Sequence, residues 1–234
     1  MKKDLKVSND FIHSIIKKNN HLTLKLLFLM VYRGVIEKGT NLSSITINIR
    51  DIKKEINLDF NHIRQNIKQI QKTLITIQDN KRVVDLVLIP KAIYDYDRQL
   101  IKIDIYNEIL NELQQLQNKY TIINLDNLLK LNNKHSIRLL TILENINRYD
   151  SYVAKIKEYT NEELNELFDT NYKGFREIER AVIKPIQAEL DELSNLTFIY
   201  DVLYDIDTNK VGRKPITGIK IYLKENKQRQ LTMF

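Results

Sequence analysis

The chain has no cysteine and no tryptophan, and only five glycines and three prolines in 234 residues. Without cysteine there is no disulfide framework and no thiolate metal site. The glycines, at 34, 39, 174, 212 and 218, are too scattered to build a phosphate-cradling loop. The four histidines, His13, His21, His62 and His135, show no metal-ligand spacing. There is also no histidine–x–histidine pair beside a tyrosine nucleophile, as a DNA nickase requires. The longest apolar run, Leu26–Tyr32, is far too short to cross a bilayer. The opening MKKDLKVSND runs into polar sequence rather than the apolar core of a signal peptide. These absences point to a non-enzymatic protein without metal or cofactor, soluble and expected in the cytoplasm.

What is present is ordinary for a folded protein: 43% hydrophobic and 29% charged residues. The length allows one large domain or two of common size. Net charge is +7, which favours polyanionic partners, but its distribution is uneven. Residues 1–112 hold 19 Lys/Arg against 13 Asp/Glu, whereas residues 113–234 hold 18 against 17. In the second half any anion-binding surface must therefore come from local arrangement.

One order of elements occurs twice. In the first half, periodicity predicts helices over 9–17 and 22–37 and a short strand, SITINI, over 44–49. A short helix over 50–56, a turn at 57–59 and an amphipathic helix from Phe60 to about Leu74 follow. Strands are expected at 82–89 and 100–105, separated by a turn-like stretch with Pro90. Residues 106–119 read as a polar helical connector. The second half then gives helices near 126–131 and 134–149, a short helix at 161–168, the turn DTN and a long helix over 172–193. Strands at 196–206 and 216–223 close it. The expected class is α+β, with two tandem winged helices: 1–112, 113–223 and a flexible tail, 224–234.

The two long helices after the turns carry the chemistry. On the second, Phe175, Ile178, Val182, Ile186, Leu190 and Leu193 share one side at the helical period. Lys173, Arg176, Arg180 and Lys184, spaced i, i+3, i+7 and i+11, line a neighbouring edge. Pro185 predicts either a kink or a break near Lys184. The loop of the following hairpin places Lys210, Arg213 and Lys214 at its tip. A cationic helix beside a cationic hairpin divides labour between base reading in the major groove and grip on phosphate. On the first such helix the outward face is Asn61, Gln65, Lys68, Gln69 and Lys72; Asn and Gln are the side chains that pair bidentately with adenine.

Three stretches, Tyr120–Tyr149, Phe175–Asp201 and GRKPITGIKIYL at 212–223, resemble the initiator replication proteins of theta-replicating plasmids. The resemblance spans nearly the whole chain, and is strongest in its second half. It implies a sequence-specific double-stranded DNA-binding protein with two winged helices. Such proteins bind directly repeated origin sites (iterons), help open adjacent A·T-rich DNA and recruit the host helicase machinery. It further implies a homodimer in balance with monomer, contacts between copies through the N-terminal winged helix, and repression of the protein's own gene. By position the main recognition helix corresponds to 172–184 and the wing to 207–215. One departure is Leu140, where an aromatic residue commonly follows the Ser-x-Arg-Leu pattern. The alternative reading is a winged-helix transcriptional repressor with no part in replication. The last residues, Gln230, Leu231, Met233 and Phe234, resemble the short peptide by which bacterial proteins dock on the replicative sliding clamp.

Overall fold

The computed structural model describes residues 4–8, 15, 19–78, 82–114, 120–148, 155–205 and 214–226. The chain divides into two compact units, Met1–Leu129 and Lys130–Phe234.

In the first unit, β1 (Asp4–Ser8) is followed by α1 (His21–Arg33), β2 (Val35–Glu37), β3 (Leu42–Asn48) and α2 (Ile49–Ile56). Helix α3 (Phe60–Gln71) leads to β4 (Leu74–Gln78), β5 (Val83–Val87), β6 (Lys91–Asp95), β7 (Leu100–Tyr106) and α4 (Asn107–Gln114). β8 (Tyr120–Asn124) and α5 (Leu125–Lys130) complete this part. Helix α1 starts where the Asn20 side chain accepts from the Thr23 amide at 2.9 Å, and Leu24 through Val31 are all buried. It stops at Gly34, where a Cβ would overlap the Ile45 side chain and the Met30 carbonyl. The stretch expected to stay helical to residue 37 therefore turns into β2 instead. Gly34 lets the helix end lie against the strand that β2 joins.

The helix-turn-helix of this unit is specified locally. Asn48 caps α2, Asn57 takes the left-handed conformation that ends it (φ 49°), and Asp59 accepts from the His62 amide at 2.8 Å to start α3. Ile63, Ile67 and Ile70 bury one stripe of α3. That helix ends at Gln71, with Lys72 as its cap, rather than near Leu74. LITIQ forms β4 and pairs back on β5, with Leu74 opposite Val87. The turn-like stretch after Pro90 is likewise a strand, β6, paired with β7. The sheet order is β2-β3-β7-β6, leaving β4-β5 as a separate ribbon. β1 pairs antiparallel with β8, a connection that no local pattern announced.

The second unit repeats the plan with fewer strands. α6 (Lys134–Ile146) precedes β9 (Ile156–Thr160), α7 (Asn161–Phe168), α8 (Phe175–Ile178), a π-helical turn (Glu179–Ile183) and α9 (Lys184–Leu193). Strands β10 (Leu196–Tyr204) and β11 (Ile216–Glu225) form a hairpin, and β9 pairs on the far side of β11, giving the order β10-β11-β9. Phe168, Phe175, Ile178, Val182, Ile183, Ile186, Leu190, Phe198, Ile219 and Ile221 are buried. Each such side chain removed from water contributes about 1.5–3 kcal/mol. Unit by unit, strand, short helix, turn, longer helix and hairpin describe a winged helix twice over.

Candidate nucleic-acid interface

The long helix of the second unit does not begin at Tyr172. It begins at Phe175, with Gly174 as its N-cap, so Lys173 lies in the turn ahead of it. It is also not one regular α-helix. Five residues, Glu179–Ile183, form the π-turn, and Pro185 sits in the first turn of α9. The physical reason is Pro185, which has no amide proton and whose ring clashes with a carbonyl one α-turn back. Widening the preceding turn removes the conflict without breaking the axis.

The widened turn also changes phase. Eight residues of α-helix would leave Phe175 and Ile183, or Arg176 and Lys184, about 80° apart, and one extra residue reduces that to about 20°. Ile183 is fully buried alongside Phe175, in keeping with that phase. Arg176 and Lys184 are thereby brought onto one ridge. Arg176, Arg180 and Lys184 are all exposed, as is Lys173 before them.

Lys184 is held differently from the other three. Its ammonium lies 3.4 Å from the Glu179 carboxylate, a spacing of five residues that a π-turn makes neighbours. Tyr200 on β10 donates its hydroxyl to the same carboxylate at 2.7 Å. Burial and this carboxylate hold the phenol's pKa well above the usual tyrosine value. Among the described residues the side chains of Lys173, Arg176, Arg180 and Lys214 form no salt bridge, although the Lys173 backbone amide donates to the Glu177 carboxylate at 3.3 Å.

Lys173, Gly174, Phe175, Arg176 and Glu177 face Lys214, Pro215 and Ile216 across one open groove of about 660 Å³. The start of the recognition helix and the base of the wing thus meet, and three candidate cations (Lys173, Arg176 and Lys214) line a shared concavity. Lys210 and Arg213 lie outside the described residues, as do Gln230, Leu231, Met233 and Phe234. The first unit's candidates, Asn61, Gln65, Lys68, Gln69 and Lys72, are all exposed along α3 and its cap.

What aims the second helix was missed in the sequence. The Asn165 side chain accepts from the Tyr172 amide (2.9 Å) and the Thr170 hydroxyl (2.8 Å), and donates to the Tyr172 carbonyl (2.9 Å). One amide therefore ties the whole turn between α7 and α8. Asp169 opens that turn in the left-handed region (φ 53°). The one local signal was the capping box Thr160–Glu163, which fixes where α7 starts. Beneath the turn, Arg138 donates to the Leu167 carbonyl, and the His135 ring meets Phe168 edge-on at 5.5 Å. Burial, with Lys134 and Arg138 nearby, pushes His135 down to about 4, so it is neutral at neutral pH. Among the described residues no three His, Asp or Glu side chains gather as a metal site, and no helix is long and apolar enough to cross a membrane.

Comparison with known proteins adds lineage to this geometry. The family described as "Initiator Replication protein, WH1" matches residues 4–144, and that described as "Initiator Rep protein, WH2" matches residues 160–223. No match is found among curated protein sequences. Among solved structures, the Pi initiator protein in complex with iteron DNA is similar, with a TM-score of 0.71 and 16% identity over 96% of this chain and 98% of that one. Domains 2 and 3 of RctB align with a TM-score of 0.44 and 11% identity, covering 94% of this chain and 85% of that chain. The first match shares the tandem winged-helix fold, and the two family matches together span most of the sequence: the chain belongs to the initiator replication protein family.

Proposed function

We propose that this protein is a plasmid replication initiator that binds directly repeated origin DNA with the groove of its second winged helix set against the duplex. The observation that carries this reading is the convergence of Lys173, Arg176 and Lys214 on one open groove, with Arg180 continuing the exposed ridge. Arg176 and Arg180 read bases, since a guanidinium can make two bonds to guanine O6 and N7. Lys173, Lys184 and the wing cations Lys210, Arg213 and Lys214 grip phosphate. On the first unit, Asn61, Gln65, Lys68, Gln69 and Lys72 provide a second reading face. The similar Pi structure holds iteron DNA, which favours repeated duplex sites as the ligand.

The same reading includes a homodimer in balance with monomer, joined through the first winged helix, and repression of the protein's own gene. It also includes loosening of neighbouring A·T-rich DNA, recruitment of the host helicase machinery, and docking of Gln230, Leu231, Met233 and Phe234 on the sliding clamp. A shift assay with tiled fragments of the DNA flanking its gene, against random duplex, tests the central part. Selective binding is expected, weakening by about 10³–10⁵ between roughly 50 and 200 mM salt if about six to ten phosphates are contacted. Equal affinity for every fragment refutes the reading.

A further inference from the structure

The two helix-turn-helix units differ in the charge of the helix that precedes the turn. In the first unit that helix is α2, IRDIKKEI. Ile49 and Ile52 are buried, which turns Arg50, Lys53 and Lys54 to solvent within about 100° of arc, with Asp51 the one exposed carboxylate on the helix. Among the described residues none of the three has a carboxylate partner: Glu55 is taken by Arg33 from α1, at 2.7 Å. In the second unit the equivalent helix is α7, NEELNELF, whose exposed charges are Glu162, Glu163 and Glu166. In a helix-turn-helix the first helix crosses the phosphate backbone while the second enters the groove. A helix with three free cations is complementary to that backbone, and one with three carboxylates is repelled by it.

The ribbons after the two recognition helices differ in the opposite sense. The described part of the first, β4-β5, exposes Leu74 and Val83, and its Thr76 hydroxyl donates to Asp85 at 2.7 Å. The second hairpin brings Lys214 to the recognition helix. Phosphate grip is thus available ahead of the turn in one unit and after the recognition helix in the other.

We infer that α2 is a phosphate-binding surface, with Arg50, Lys53 and Lys54 each neutralising a backbone phosphate of duplex DNA beside the site that α3 faces. These contacts carry no base information, because phosphates are alike in every sequence. They set the register of the first unit on the duplex and add to the salt dependence of binding. The inference rests on the DNA-binding reading above, and deepens it by assigning a surface outside both recognition helices.

The test is a salt series of binding affinity with full-length protein, on duplex fragments of the DNA flanking its gene and on random duplex. The variant Arg50→Gln/Lys53→Gln/Lys54→Gln keeps good helix formers at all three positions. The slope of log affinity against log salt should become shallower by about 2–3, since each phosphate contact contributes about 0.9. Affinity should fall by the same factor on both DNAs. Lys54→Gln alone should change the slope by about 0.9, and the charge-preserving Arg50→Lys/Lys53→Arg/Lys54→Arg should keep the wild-type slope. An unchanged slope in the triple glutamine variant, or a loss confined to the flanking DNA, overturns the assignment of α2 while wild-type protein still selects its own DNA. If wild-type protein fails to select that DNA from random duplex, the functional reading falls first, and this inference with it.

Discussion

The two winged helices of this chain solve one structural problem with different polar chemistry. In the first, a buried Thr–Asn pair and one exposed carboxylate cap hold the helix-turn-helix. Thr23 donates to Asn66 at 2.9 Å inside the core, Asn66 donates to the His62 carbonyl at 2.8 Å, and Asp59 caps the recognition helix. In the second, a single amide, Asn165, ties the turn, with a half-buried histidine and an arginine beneath it. The recognition helices differ too: α3 runs uninterrupted and offers amides, while α8 and α9 are joined through a π-turn and offer guanidinium groups. The same order of elements therefore does not impose one mode of contact. An amide-rich face suits adenine and an arginine-rich ridge suits guanine.

This contrast can be attacked at several points. The largest effect is expected at the turn of the second unit. Asn165→Ala leaves the Tyr172 amide and carbonyl without that partner, costing about 2–3 kcal/mol. Asp59→Ala in the first unit loses one solvent-exposed cap and should cost clearly less. Chemical denaturation followed by hydrogen exchange in each unit separates the two, and equal losses would mean that Asn165 is no special staple.

Next in size is base discrimination. Arg176→Ala should lose about 1–3 kcal/mol of preference for the flanking DNA over random duplex if the guanidinium reads guanine. Lys214→Ala should weaken both DNAs alike. Competition binding with both duplexes decides this, and a uniform loss for Arg176→Ala removes it from the set of base readers.

A smaller effect comes from pH. The folded protein holds His135 at about 4, below its unfolded value near 6.5, so the unfolded chain binds the extra proton first. Stability of the second unit is then fully present above about pH 6.5 and falls as pH drops towards 4. The change is about 1–2 kcal/mol once the ring's partial exposure is allowed for. His135→Gln should flatten that part of the profile, measured by thermal melting between pH 7 and 4. The uncharged Thr23–Asn66 core of the first unit contributes no such slope.

The smallest expected change is electrostatic. Glu162→Gln with Glu166→Gln removes two carboxylates from α7 and should raise DNA affinity a few-fold at low salt, an effect fading as the Debye length shrinks to about 8 Å at physiological ionic strength. A drop in affinity would show that these acids help to present the recognition helix rather than repel the duplex.

Much of this architecture was legible before any coordinates. The apolar period of the helix from Phe60 and the alternating strands expected at 196–206 and 216–223 were local patterns, and local patterns fix local elements. The strands that went unread, 4–8, 35–37, 74–78, 91–95, 120–124 and 156–160, share one property. Their pairing partners settle their identity, and for β1 and β8 those partners lie more than a hundred residues apart. LITIQ follows a helix directly, so its start looked like the helix continuing until β5 claimed it. Asn165 was unread for a similar reason, since an asparagine inside a helix reveals nothing until the turn curls over its amide.

By itself the sequence determined that there are two similar units, that each ends a helix-turn-helix in a hairpin, and that the second carries arginines where the first carries amides. Side-chain period and charge are properties of the chain, and survive without a partner. Only the tertiary structure decided how Pro185 is accommodated, that a π-turn brings Arg176 and Lys184 onto one ridge, and that Lys214 shares a groove with Lys173 and Arg176. Those outcomes depend on which backbone groups find partners and on which surfaces close over one another. Distances of that kind exist only once the chain has folded.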